Sequence, residues 1–487
     1  QYYGPELVTN GDFATDSDWN TSATGISISG GKISRDATAT ASIIQINSSI
    51  TPSVLYQITF EIVDYTSGTL RPRFGYNGTG GTNVSGVGIY TQTITKVDQN
   101  VIELYGTSFI GSIDNVSVKE VLNADFDFSR NSSATRVGSN GLIQDVASNL
   151  PRIDYTGGVG SWKFEPQRTN LIIRSENYGH AAWSTFQSTI LLSQNNTLTN
   201  QNDATLLYPS ITSSYASLFD ANDLTSGIYT FSVFAKASGK NFLCIDDTIG
   251  GKNWFNLSNG TLGTINSSYT ANIENYSGGW YRCSVTNNSN ATFNYTAVYL
   301  VTDTDNSLAI TANGTDGILL FGSQTEAGSY PTSYIISNSG SATTRLADAA
   351  NSAGSSDLIN STEGVLMVEF SANNQDVGWI GLGSGSSNRI LLGTSGGNVR
   401  SYNNIGGTVI NYQSTINSNS NNKIAIKYKS GDTDIYINGF KLFESNAAFT
   451  VSSSFDKLEF KNLVGETQNF YGNTKCVAVF KEALTDL

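Results

Sequence analysis

The strongest constraint on the fold is an apolar period of two, broken at short intervals by turn residues. Tyr56, Ile58, Phe60 and Ile62 alternate with Gln57, Thr59 and Glu61. Residues two apart on a strand share a face, so this segment offers one apolar face to a core and one polar face outward. The run Ile113–Lys119 alternates too, but Ile113 is out of phase with Val116 and Val118, which predicts a bulge at Asp114-Asn115. Farther along, Tyr229, Phe231, Val233 and Ala235 share a face. Ile424, Ile426 and Tyr428 are set to pair with Ile435 and Ile437 across a turn at Ser430-Gly431-Asp432, and Asn438-Gly439 opens a further hairpin into Phe440–Phe443. Long stretches of helical periodicity are absent.

These patterns predict an all-β chain. At roughly 100–200 residues per domain, 487 residues make about three. The expected architecture is three antiparallel β-sandwich domains (jelly-roll or lectin-like) in tandem, with an ordered irregular connector. The predicted boundaries are 1–122 for the first sandwich, 123–175 for the connector, 176–348 for the second sandwich and 349–487 for the third. The first two sandwiches open near Trp19 and Trp183 and follow a similar layout, as diverged copies of one module would. The connector combines Asn140-Gly141, Leu150-Pro151 and Glu165-Pro166 with Phe126, Phe128, Tyr155, Trp162 and Phe164. Turn-rich chain carrying large apolar residues packs on its neighbours instead of swinging free.

Composition narrows the function. Charged residues are 14% of the chain, and 27 basic against 40 acidic residues leave a net charge of −13. A nucleic-acid reader needs a basic stripe to displace counterions, so no nucleic-acid partner is expected. No run approaches the about 20 apolar residues of a membrane helix, so no membrane insertion is expected. The first residues lack a basic-then-apolar leader. Cys244, Cys283 and Cys476 form no metal-binding spacing and read as thiols, the first two able to meet across a sheet.

Catalytic patterns are sparse. His180 is the only histidine, in a loop-like stretch, so a nucleophile–base arrangement has one candidate base. Glycan cleavage needs two carboxylates about 5–10 Å apart. The nearest pairs are Asp432 with Asp434, at a turn, and Asp125 with Asp127, at the start of the connector. The chain is therefore expected not to be an enzyme, with polysaccharide depolymerase as the enzymatic alternative. Sugar binding uses aromatic faces with amide and charged hydrogen-bonding groups. Trp19, Tyr65, Arg73, Tyr76 and Tyr90 are the candidates in the first sandwich, and Trp379, Arg389, Arg400, Tyr402 and Asn403 in the third.

Three segments resemble known families. Leu7-Val8-Thr9-Asn10-Gly11-Asp12-Phe13 with Trp19, closed by Ser112–Val118, resembles the jelly-roll carbohydrate-binding modules found beside glycoside hydrolases. That resemblance implies a structural calcium held by Glu6, Asp12 and Asp114; no other cofactor is implied. Phe128–Val137, Gly141-Leu142-Ile143, Asn149–Tyr155 and Glu165–Leu171, followed by Gly322–Ile335 and Thr344–Asp348, closely resemble a set recurring in bacteriophage tail-fibre and other virion proteins. Residues 353–487, closing on Phe480–Asp486, are similar to concanavalin-A/laminin-G-like lectin domains.

The resemblances imply a phage virion structural protein on the particle surface, assembled in the host cytoplasm. It would serve as capsid decoration, head fibre or tail fibre. Its implied partners are other capsid or tail proteins, further copies of itself (a trimer by analogy) and a surface glycan. A receptor-binding adhesin, chiefly a reader of polysaccharide, is the competing expectation.

Overall fold

The computed structural model describes the chain apart from residues 1, 47–49, 51–53, 76–79, 96–99, 123–125, 213–214, 221–223, 247–250, 288–290, 294–296, 374–376, 466 and 485–487. Every strand-to-strand ladder is antiparallel, and the helical content of the described residues is one short 3-10 turn, Ser277–Gly279. No helix among them is long and apolar enough to cross a membrane. The chain divides into two compact units, Gln1–Ala124 and Asp125–Leu487.

The first unit is a seven-stranded sheet organised on two long strands, Leu55–Phe74 and Val101–Leu122. Tyr56, Ile58, Phe60 and Ile62 are all buried, as their period predicts, and they meet Ile113, Val116 and Val118 in one core. The predicted bulge is present: Thr59 pairs with Ser117 and Glu61 with Asp114, while Asn115 takes φ 52°. Further register shifts at Ile62/Asp64 and Tyr65/Ser67 bend the long strands.

The second unit holds two sandwiches. One stacks two six-stranded sheets, the first running from Trp183–Phe186 through Ala216–Asp220, the second centred on Tyr229–Ser238 and Gly317–Ala327. Phe231, Val233, Leu243, Phe255, Tyr299 and Leu320 fill the space between. Its strands fall in two separate sheets, whereas those of the first unit are joined in one through the two long strands.

The last sandwich packs a five-stranded sheet on a seven-stranded one. The predicted hairpin forms in register, Ile424 opposite Ile437 and Ile426 opposite Ile435. Asn438 and Gly439 both have positive φ, 54° and 87°, as a two-residue I′ turn requires.

The connector is more regular than expected. Asp127–Ser129 pairs with Ala349–Asn351, Ala134–Val137 with Ile143–Val146, and Arg168–Asn170 with Thr343–Arg345. Ile153–Asp154 and Ser161–Phe164 extend the seven-stranded sheet of the last sandwich by pairing onto Gly472–Phe480. Phe164 enters that sandwich's core, its ring stacked 4.2 Å from Phe460 and tilted against Trp162 at 4.6 Å. Residues on both sides of the predicted boundaries at 175/176 and 348/349 thus share ladders and one compact unit.

Candidate functional site

The ionic residues of the connector converge on one buried cluster. Arg130, Arg152 and Arg345 are almost wholly out of solvent, as are Glu165 and Asp348. Arg130 pairs with Asp348 at 3.1 Å, and Arg152 pairs with both Glu165, at 2.8 Å, and Asp348. Arg345 reaches the same Glu165 oxygen at 2.8 Å. Short strands put these groups in place: Arg152 precedes Ile153–Asp154, Glu165 follows Ser161–Phe164, and Arg345 ends Thr343–Arg345.

Hydrogen bonds saturate the remaining acceptors. Ser333 donates its backbone N–H to Glu165 Oε1 at 2.7 Å and its hydroxyl to Oε2 at 2.6 Å. The Glu165 N–H donates to Asp348 Oδ2 at 2.9 Å. Glu326 accepts from Thr332 N–H, Thr332 Oγ1–H and the Gln324 amide at 2.6–2.9 Å. Burial opposes ionisation of Glu165, but the attraction of Arg345 and Arg152 outweighs it and holds the carboxyl well below the usual range. Asp154 is held low in the same way, burial being outweighed by Lys163 at 3.0 Å and the Val137 N–H. A carboxylate enclosed by guanidinium groups and donors is a structural anchor.

Against the buried cluster lies a half-open polar cleft of about 460 Å³. Three parts of the second unit wall it. Arg136, Asp154 and Lys163 come from the connector; Asn272, Glu274, Tyr276 and Arg282 from the middle sandwich; Asn373, Asn419 and Asn473 from the last. The loop Tyr330–Tyr334, held by Glu165 and Glu326, forms a further side. Amides, guanidinium groups and tyrosine rings around a volume within the about 300–1,000 Å³ of small-molecule sites suit a hydroxyl-rich ligand. Sequence periodicity gives no sign of this cleft, because its walls meet only through long-range pairing.

The sugar-binding candidates of the first unit are largely engaged within the fold. Trp19 is in the core, its ring 5.2 Å from Phe13 and its Nε1–H donating to the Asn10 carbonyl at 3.0 Å, so it offers no face to a sugar. Arg73 is buried, paired with Glu103 at 2.9 Å beneath the Tyr105 ring. Tyr90 packs on Phe60 and donates to Ser85 O at 2.7 Å; Tyr65 is the more exposed ring and donates to Gly68 O. Tyr76 lies outside the described residues.

In the last sandwich the candidates do come together, as a packed ledge on the outer side of the five-stranded sheet. Trp379, Gly393 and Arg400 are neighbours across three strands, and the missing side chain at Gly393 lets Arg400 lie 5.7 Å over the Trp379 ring. Trp379 is buried and donates its Nε1–H to Gln468. Arg389 donates to Asn462 O at 2.9 Å and lies 5.4 Å over Tyr402. Arg400 and Tyr402 stay half-buried, whereas Asn403 points into the sandwich with its Oδ1 unpaired.

The three residues of the implied calcium site do not form a ligand set. Glu6 accepts the N–H groups of Leu7, Val8 and Val118 at 2.8–3.1 Å and the Ser117 hydroxyl at 2.6 Å, which saturates its carboxylate. Asp12 and Asp114 each accept a local turn N–H, from Ala14 and Asn115. No group of three metal-ligating side chains occurs among the described residues. Asp432 and Asp434 both bind Lys427, at 2.9 and 2.6 Å, and His180 Nδ1 accepts the Ala182 N–H in a turn. Asp127 is exposed; Asp125 lies outside the described residues.

No family model matches this chain, and no curated protein matches it significantly. Among solved structures, a match covers 64% of this chain and 88% of a chain comprising domains LG4-5 of the mouse laminin alpha1 chain, at 10% identity and a TM-score of 0.21. Likeness at that level carries no argument; the all-β, multi-sandwich fold rests on the ladders described above.

Proposed function

We propose that this chain is a non-enzymatic surface protein of a bacteriophage particle, a capsid decoration, head fibre or tail fibre, that presents a glycan-binding cleft. One observation carries the reading: the residues through which 124–348 resembles virion proteins end in a buried ionic joint. Arg130, Arg152, Glu165, Arg345 and Asp348 bind one another and not solvent. Such a segment serves to hold two sandwiches and a loop in fixed relation, the task of a particle component.

The same use of carboxylates supports a non-enzymatic role. Glu165 and Asp348 are held by arginines, and Asp432 and Asp434 by a lysine, which leaves them poor general acids or nucleophiles. The test is immunogold microscopy of phage particles from the native host with antibody to this chain. Label at a repeating surface position is expected. Recovery of the chain only outside the particle fraction would refute the proposal. The adhesin reading is favoured by the cleft itself, and binding to host polysaccharide by isolated protein would place attachment first among its roles.

A further inference from the structure

Two arginines line the cleft without an ion pair among the described residues, Arg136 and Arg282, and of the two only Arg282 is almost wholly buried. Arg282 is 4% exposed and lines the cleft. On its sheet it stands between Phe234 and Glu274. Its guanidinium lies 5.3 Å from the Phe234 ring centre and donates to Ser232 Oγ at 3.2 Å, while Nε has no hydrogen-bond partner. Each buried arginine of the neighbouring joint has a carboxylate at hand; no carboxylate of the described residues forms an ion pair with Arg282. A buried charge without an ion-pair partner carries a large desolvation cost, which one hydroxyl and one aromatic ring offset only in part. Retaining it at the wall of an open polar cleft makes sense if a ligand supplies the anion.

Resting on the glycan-binding part of the proposal above, we infer that the cleft takes an acidic saccharide and that Arg282 anchors its carboxylate. The planar fork of a guanidinium matches a carboxylate through two parallel hydrogen bonds. The remaining walls suit the sugar: Asn272 and Asn473 offer amides to hydroxyl groups, and Tyr330, with Arg168 over its ring, lines the same cleft. Glu274 lines the same cleft and accepts from Asn272 at 3.3 Å. Its charge disfavours a dianion more than a monoanion, which points to a carboxylated sugar and away from a phosphorylated one.

The experiment is calorimetry of the full chain against a panel of uronic- and sialic-acid oligosaccharides, each with its carboxyl-reduced neutral form, and against inorganic phosphate. At least one acidic oligosaccharide is expected to bind at least tenfold more tightly than its neutral form and than phosphate. Arg282→Gln should remove that preference without lowering the melting temperature, because it deletes an unpaired buried charge. Asn272→Trp, at an exposed strand position, should block binding by filling the cleft even if Arg282→Gln folds poorly. Lys429→Gln, at an exposed residue outside the cleft, should leave binding unchanged. Equal binding of acidic and neutral forms, tighter phosphate binding, no binding across the panel, or unchanged affinity in both cleft variants would overturn the inference. Particle labelling is unaffected by any of these results, so the virion role stands or falls separately.

Discussion

Arg130 donates to Asp348 at 3.1 Å across 218 positions of sequence, with both side chains wholly out of solvent. Asp348 also holds Arg152, so one carboxylate bridges two buried guanidinium groups. Asp348→Asn should therefore cost about 3–5 kcal/mol, the range for leaving a buried charge without its partner. Denaturant unfolding of the full chain measures this. A loss under about 1 kcal/mol would mean that water or another group readily takes the place of Asp348.

Acid should weaken the joint in a defined direction. Glu165 and Asp154 have folded pKa values below their ordinary ones, so their stabilisation is present above the unfolded values, about 4, and lost as pH falls through the folded ones. Glu176 is raised by burial, against hydrogen bonds from Tyr334 and Asn338, and acts oppositely. The melting temperature of the second unit's transition is expected to hold from neutrality to about pH 5 and fall below about pH 4. Glu165→Gln should be less stable at pH 7, with the gap to wild type narrowing in acid. A constant gap down to pH 3 would contradict the assignment.

Period-two patterning made much of the fold legible. Tyr56–Ile62, the Ile424–Ile437 hairpin and the bulge at Asn115 are local or near-local features, and each appears as the pattern predicts. Short strands were hidden, because Ile153–Asp154 has too few residues to show a period. The joint was visible only as a family resemblance, since pairing of Arg152 with Asp348 depends on chain closure and not on spacing. Aromatic residue type does not tell core from surface: Trp19 and Trp379 have the right chemistry for sugars but are buried. Arg282 lies in the strand Tyr281–Asn287, and nothing in its sequence neighbourhood signals that it forms no ion pair among the described residues.

Phe164 provides a test of where the last sandwich ends. It lies far before residue 349 yet is fully buried in that sandwich's core against Phe460. Phe164→Ala should cost about 3–5 kcal/mol, and the loss should appear in the transition of the last sandwich. Thermal unfolding followed by the fluorescence of Trp379 reads it, in a background with the other tryptophans replaced. An unshifted transition would separate the connector from that core.

Thiol chemistry should distinguish the three cysteines, none of which forms a disulfide. Burial pushes Cys244 and Cys283 well above the ordinary thiol range, on facing sheets of the middle sandwich. Only Cys476, which is half-buried, should react with an aromatic disulfide reagent in the native protein, and all three after unfolding. Rapid native reaction at Cys283 would show that the middle sandwich opens readily.

Native-state hydrogen exchange tests the ionic joint most directly. Amides of 161–164, 333 and 345 are expected to exchange at the same opening free energy as 472–480, all falling together in Asp348→Asn. Fast, independent exchange of the connector, indifferent to that substitution, would contradict it.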